Sequence, residues 1–144
     1  RQRQMCIRDR IPYDPNYYFY GEELSMALRA FTKGYSFFHI PDVPLFHLYT
    51  DVSNLPRKLH WSPEDDGKRA IKWTELDKRS LNRLDDLFAD RVEEPLNLGN
   101  DRSLEDYASI SGIDLKNNVV LDLEKATESN FLESLDWKIS PLKQ

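Results

Sequence analysis

The stretch YDPNYYFYGEELSMALRAFTKGYSFFHIPDVPLFHLY, Tyr13 to Tyr49, decides how this chain is read. Pro12 and Pro15 bias their preceding residues toward extended backbone, and the aromatic run Tyr17 to Tyr20 suits a strand or a packed loop that turns at Gly21. From Glu22 the period changes. Leu24, Ala27, Leu28 and Phe31 recur at helical spacing, so a helix is expected from Glu22 to about Lys33, with Leu24, Leu28 and Phe31 buried. Glu22 and Glu23 stand in its positively polarised first turn, and Gly34 stops it. YSFFHI and PLFHLY then predict two short strands around the turn PDVP.

Working outward, TDVSNLPRKLHWSPEDDGK reads as a connecting loop in which Ser62-Pro63-Glu64-Asp65 offers a helix start that Gly67 weakens. WTELDKRSLNRLDDLFAD places Leu76, Leu81, Leu84, Leu87 and Phe88 on one apolar face of one or two helical segments, the second capped by Ser80. RSLEDYASISGID predicts a short helix with Ser103 as N-cap, Asp106 three residues on and Gly112 as the stop. NNVVLDLE suggests an edge strand and ATESNFLESLDW a terminal helix.

The 144 residues are 40% hydrophobic, which suits one ordinary domain and leaves no room for a second well-filled core. The first ten, RQRQMCIRDR, carry four arginines against Asp9 and so contribute +3 to a formal charge of -5, leaving residues 11–144 at -8. An acidic body without a basic stripe gains nothing from phosphate neutralisation, so nucleic acid is not expected as a partner. The single cysteine, Cys6, forms no intrachain disulfide and is compatible with a reducing, cytoplasmic compartment. No apolar run approaches the roughly 20 residues that cross a bilayer. The head shows neither helical nor strand periodicity and resembles translated sequencing adapter, so residues 1–10 are set aside as non-native. A genuine basic arm is the alternative.

Few residues offer chemistry. Glu22 and Glu23 diverge by about 100° on a helix, so one faces a given cleft while the other caps. A carboxylate at the mouth of an aromatic pocket can hold a sugar hydroxyl, or act as a base if its pKa is tuned. His39, His47 and His60 can each ligate a divalent ion, but an oxygen-rich magnesium or manganese site also needs carboxylates. Asp122 and Glu124 in LDLE share the polar face of the expected strand and are read as structural. No Gly-rich phosphate loop, serine elbow or Cys-x-x-Cys pair is present.

In order, PYDPNYYFYGEELSMALRAFTKGYSFFHIPDVPLFHLY, HWSPED and LGNDRSLEDYASISGID resemble the carboxyl-terminal half of the catalytic domain of the GlcNAc-transferases that modify hydroxyproline on a ubiquitin-ligase adaptor. The resemblance covers Ile11 to Leu115. It implies an α/β, Rossmann-like GT-A glycosyltransferase fold, UDP-GlcNAc as donor, a divalent metal, usually manganese, and a hydroxyl acceptor on a protein or glycan. It assigns Glu22 or Glu23 to the sugar and acceptor, and His47 to the metal; His39 receives no role. Because that family transfers with retention, the glutamate is expected to hold the sugar and the incoming hydroxyl rather than simply to deprotonate.

The resemblance divides the chain into the head at 1–10, a catalytic portion at 11–115 and a carboxyl-terminal extension at 116–144. The nucleotide-binding strands and Asp-x-Asp motif of such enzymes do not occur upstream of Ile11, so the chain is expected to be a fragment, inactive by itself, of a larger, active parent. A sugar- or protein-binding module without catalysis, and an interaction protein whose aromatic block is only core, are the competing readings.

Overall fold

The computed structural model describes residues 10–37, 59 and 61–127. Helix α1 runs over Glu22–Thr32, α2 over Pro63–Gly67, α3 over Trp73–Phe88 and α4 over Leu104–Ser111. Strands β1 (Ile113–Asp114) and β2 (Val119–Val120) follow, then α5 (Leu123–Thr127). β1 and β2 are antiparallel, with Ile113 opposite Val120 and Asp114 opposite Val119.

α1 forms where the apolar period begins. Gly21 supplies the left-handed conformation, φ 82°, from which the helix departs, and a side chain there would press on the Tyr17 ring. Leu28 and Phe31 are buried as the spacing requires, while Leu24 is half-buried. The helix stops because Gly34, φ 84°, closes a Schellman turn: Tyr35 N–H donates to Ala30 O at 3.0 Å and Gly34 N–H to Phe31 O at 3.0 Å. Arg102 completes this end, donating to Tyr35 O at 2.9 Å while its guanidinium lies 4.9 Å from the centre of the Phe31 ring. The cation thus meets the negative end of the helix and an aromatic face together.

α3 is one continuous helix rather than two segments, and Ser80 lies in its interior, fully buried, instead of capping a second one. Its buried face carries Ser80, Leu84 and Leu87; Leu81, expected on that face, is 42% exposed. Leu84 and Leu87 join Tyr17 and Val92 in the core, with Leu24, Phe88, Leu96 and Leu98 packed against it. At the other end of α1, Phe31 meets Tyr107 of α4 edge to face, with ring centres 5.3 Å apart.

α4 begins as the sequence implies. Ser103 accepts from Asp106 N–H at 3.0 Å, and Asp106 accepts from Ser103 N–H at 2.7 Å, a reciprocal capping box. Gly112, φ 71°, ends the helix. Val119 and Val120 do form a strand, but LDLE does not continue it: Asp122 accepts from Lys125 N–H at 3.1 Å in the manner of an N-cap, and Glu124 sits in the first turn of α5. Most of the two strands expected at 35–40 and 44–49, and the terminal helix beyond Thr127, lie outside the described residues; Tyr35, Ser36 and Phe37 are described and form no strand.

Candidate active site

The loop Tyr13–Gly21 leads into α1 and brings the exposed aromatics to its acidic end. It opens with a tight turn that Asp14 organises. Oδ1 of Asp14 accepts from the backbone and side-chain nitrogens of Asn16 at 3.0 and 2.8 Å, and Tyr17 N–H reaches Asp14 O at 3.3 Å. The other oxygen accepts from Arg83 Nε at 2.8 Å, fixing the loop to α3. Burial pushes the Asp14 carboxyl up, but the Asn16 and Arg83 hydrogen bonds and the Arg83 charge outweigh it and hold the pKa below the ordinary value.

One turn earlier on α3, Ser80 Oγ accepts from Tyr18 N–H at 2.6 Å and donates to Tyr18 O at 3.2 Å. The next residue, Phe19, takes φ 59°, and Tyr20 N–H folds back to Tyr18 O at 2.6 Å, closing a three-residue turn. A bulky residue with positive φ is strained, and such strain persists only where its surroundings enforce it. Here it turns the Phe19 ring outward, 64% exposed, with its centre 5.0 Å from that of Trp61. Tyr13 and Tyr20 are exposed as well.

Glu22, half-buried, is the residue that this loop engages. Its Oε2 accepts a short hydrogen bond from the Tyr13 hydroxyl, and that bond, followed by burial and the charges of Glu22 and Asp14, pushes the Tyr13 phenol up to about 12. Glu23 is exposed. The structure therefore separates two residues that sequence leaves equivalent: one carboxylate is half-buried and bonded to the Tyr13 hydroxyl, the other is exposed. His47, together with His39, His60 and Cys6, lies outside the described residues. Among the described residues no group of three or more His, Cys, Asp or Glu side chains could hold a metal ion, so these residues alone do not make a metal centre.

Beneath the loop, sequence reasoning missed Arg29. It is 1% exposed, and its Nη1 donates to Pro12 O at 2.8 Å and its Nη2 to Pro95 O at 3.1 Å. Burial lowers its pKa, with the charges of Asp14 and Tyr17 opposing. An arginine in the last turn of a helix reads as a solvent-facing dipole partner, and nothing in the sequence distinguishes this one. Arg29 Nε and Asn97 Oδ1 are buried without a hydrogen-bond partner among the described residues.

A fixed carboxylate can accept a hydroxyl, and an exposed aromatic ring such as that of Phe19, beside Trp61, can take the apolar face of a pyranose. Among the described residues no helix is long and apolar enough to cross a membrane. No curated protein and no solved structure matches the chain. A family model described as Glycosyltransferase (GlcNAc) does, over residues 4–111, beginning within the arginine-rich head and ending on the last residue of α4. That match takes in the Tyr13–Gly21 loop and helices α1 to α4, well over half of the sequence, and the chain belongs to the glycosyltransferase (GlcNAc) family.

Proposed function

We propose that this glycosyltransferase transfers GlcNAc from UDP-GlcNAc to a hydroxyl on a protein or glycan acceptor, after the manner of the hydroxyproline-modifying enzymes, on a GT-A scaffold in the cytoplasm. The observation that carries the reading is Glu22, held by the Tyr13 hydroxyl at the start of α1, with Phe19 and Tyr20 exposed in the loop that leads into that helix. Glu22 accepts a hydroxyl of the sugar or of the acceptor and fixes its orientation, a role that lowers the barrier by positioning. Glu23 contributes charge to the helix start. His47 belongs to this reading as the residue that would hold a manganese ion, which would supply Lewis-acid neutralisation of the diphosphate leaving group.

Saturation-transfer NMR of the chain with millimolar GlcNAc and, separately, UDP-GlcNAc tests the reading, because it detects binding too weak for calorimetry. Transfer to the GlcNAc ring protons is expected in both cases and is lost in Glu22→Ala. Absence of transfer to either ligand, or transfer unchanged by Glu22→Ala, rejects the assignment.

A further inference from the structure

We propose that Tyr13 is a positioning residue: its hydroxyl fixes the carboxylate of Glu22 and leaves Oε1 open to accept a ligand hydroxyl. The inference rests on the glycosyltransferase reading of Glu22. A glutamate in the first turn of a helix is otherwise free to rotate about three torsions, and fixing such a side chain costs conformational entropy. A binding site whose carboxylate is already fixed does not meet that cost when the ligand arrives.

Tyr13 is suited to the task because the backbone on both sides of it is pinned. Pro12 O accepts Arg29 Nη1 at 2.8 Å, and the Asp14 carboxylate accepts Arg83 Nε at 2.8 Å. The phenol ring between these anchors is 51% exposed, so core packing does not explain its place. Its hydroxyl hydrogen bond goes to Glu22. No described residue donates to Glu23, one position on. With its pKa raised to about 12, Tyr13 remains a donor throughout the neutral range. Because Oε2 already accepts from Tyr13, Oε1 is the oxygen left fully open to a ligand hydroxyl.

The test uses the whole chain labelled at tyrosine Cζ, with the Tyr13 resonance assigned by its loss in Tyr13→Phe. At pH 11 a phenol with a pKa of about 12 is roughly one-tenth ionised, and an ordinary tyrosine roughly nine-tenths. Tyr13 is expected to stay protonated at pH 11 in the wild type and to ionise in Glu22→Ala, but not in Glu105→Ala, a change at an exposed glutamate of α4. In ligand-observed titrations Tyr13→Phe is expected to weaken GlcNAc binding five- to tenfold. Ionisation of Tyr13 at pH 11 in the wild type, or an unchanged affinity in Tyr13→Phe, overturns the proposal. A wild-type chain that binds no GlcNAc overturns the reading of Glu22 as a sugar ligand, and the phenol titration then decides the Tyr13–Glu22 link by itself.

Discussion

The carboxylate of Asp14 and the guanidinium of Arg83 meet at 2.8 Å across sixty-nine residues of sequence, the acid 2% exposed at its side chain and the base 22%. This ion pair joins the loop that carries the candidate site to the helix beneath it. Removing one member of a buried pair leaves the other uncompensated and costs about 3–5 kcal/mol; the partial exposure of Arg83 puts Asp14→Asn near 3 kcal/mol.

The pair also sets a pH dependence. The folded pKa of Asp14 lies below its ordinary value of 3.8, so the folded state binds fewer protons than the unfolded one in that window. The stabilisation is therefore fully present above the unfolded pKa and is lost as pH falls through the folded one. Urea denaturation of the wild type and Asp14→Asn should give curves that differ by a constant amount at pH 6–7 and converge below about pH 4. Curves that stay parallel to pH 2.5 refute the assignment.

Ser80 supports the same loop from one turn earlier. Ser80→Ala withdraws the acceptor from Tyr18 N–H and the donor from Tyr18 O without changing the helix propensity unfavourably. The expected loss is about 1–3 kcal/mol, the range for a buried hydrogen bond left unmade. Ser109→Ala, an exposed serine of α4, should fall within about 0.5 kcal/mol of wild type. Denaturant midpoints measured side by side decide the matter, and equal effects would show that the Tyr18 bonds contribute nothing.

Two glycines should respond in opposite directions to alanine. A Cβ on Gly99 would stand 2.5 Å from Thr32 O and 2.6 Å from Lys33 N, atoms of the backbone that closes α1 and cannot yield as a flexible side chain would. Gly99→Ala should therefore push the 95–102 segment off the end of α1 and cost about 1–3 kcal/mol. Gly67 has nothing within 4 Å and ends α2, so Gly67→Ala should gain about 0.4–1 kcal/mol through the unfolded state. Thermal melts that show both neutral would contradict the packing at Gly99.

The legibility of this fold follows the range of the interactions that make it. α1 and α4 are written in local signals, the period of Leu24, Leu28 and Phe31 and the reciprocal pair Ser103 and Asp106, because partners three or four residues apart lie on one helix face. Ser80 was misplaced for the converse reason. Serine favours caps in general, whereas its partner here is Tyr18, sixty-two residues away. LDLE alternates like a strand, yet Asp122 finds a backbone amide three residues on and starts a helix instead. At the site, the acidic pair at the start of α1 is legible in the sequence, but its asymmetry is not: the partner that distinguishes Glu22 is Tyr13, nine residues earlier and outside the helix. The family resemblance pointed to the same block of sequence that the family match covers, without supplying that geometry.

Arg29 offers the sharpest contrast between charge and packing. Its guanidinium is buried with two backbone carbonyls as acceptors, while Nε has no partner among the described residues and the Asp14 carboxylate is already paired with Arg83. Replacing a buried charge by an apolar chain of similar length is often tolerated, because the desolvation cost disappears with the charge. Arg29→Met removes the donor from Pro12 O, but Pro95 O keeps Lys33 Nζ at 3.3 Å, so the loss should stay near 1–3 kcal/mol, the cost of one unmade bond. Arg29→Lys should be worse at neutral pH, since it retains the charge in a site where one ammonium cannot span both carbonyls. A lysine there has its pKa depressed below the ordinary value of about 10.4. The folded state then binds fewer protons than the unfolded one, and stability rises with pH between the folded and unfolded pKa values. The difference between Arg29→Lys and Arg29→Met, measured by urea denaturation from pH 6 to pH 10, should therefore shrink as the pH rises. A difference that stays constant, or a lysine variant as stable as wild type at pH 7, would show that the guanidinium is better solvated than its burial implies.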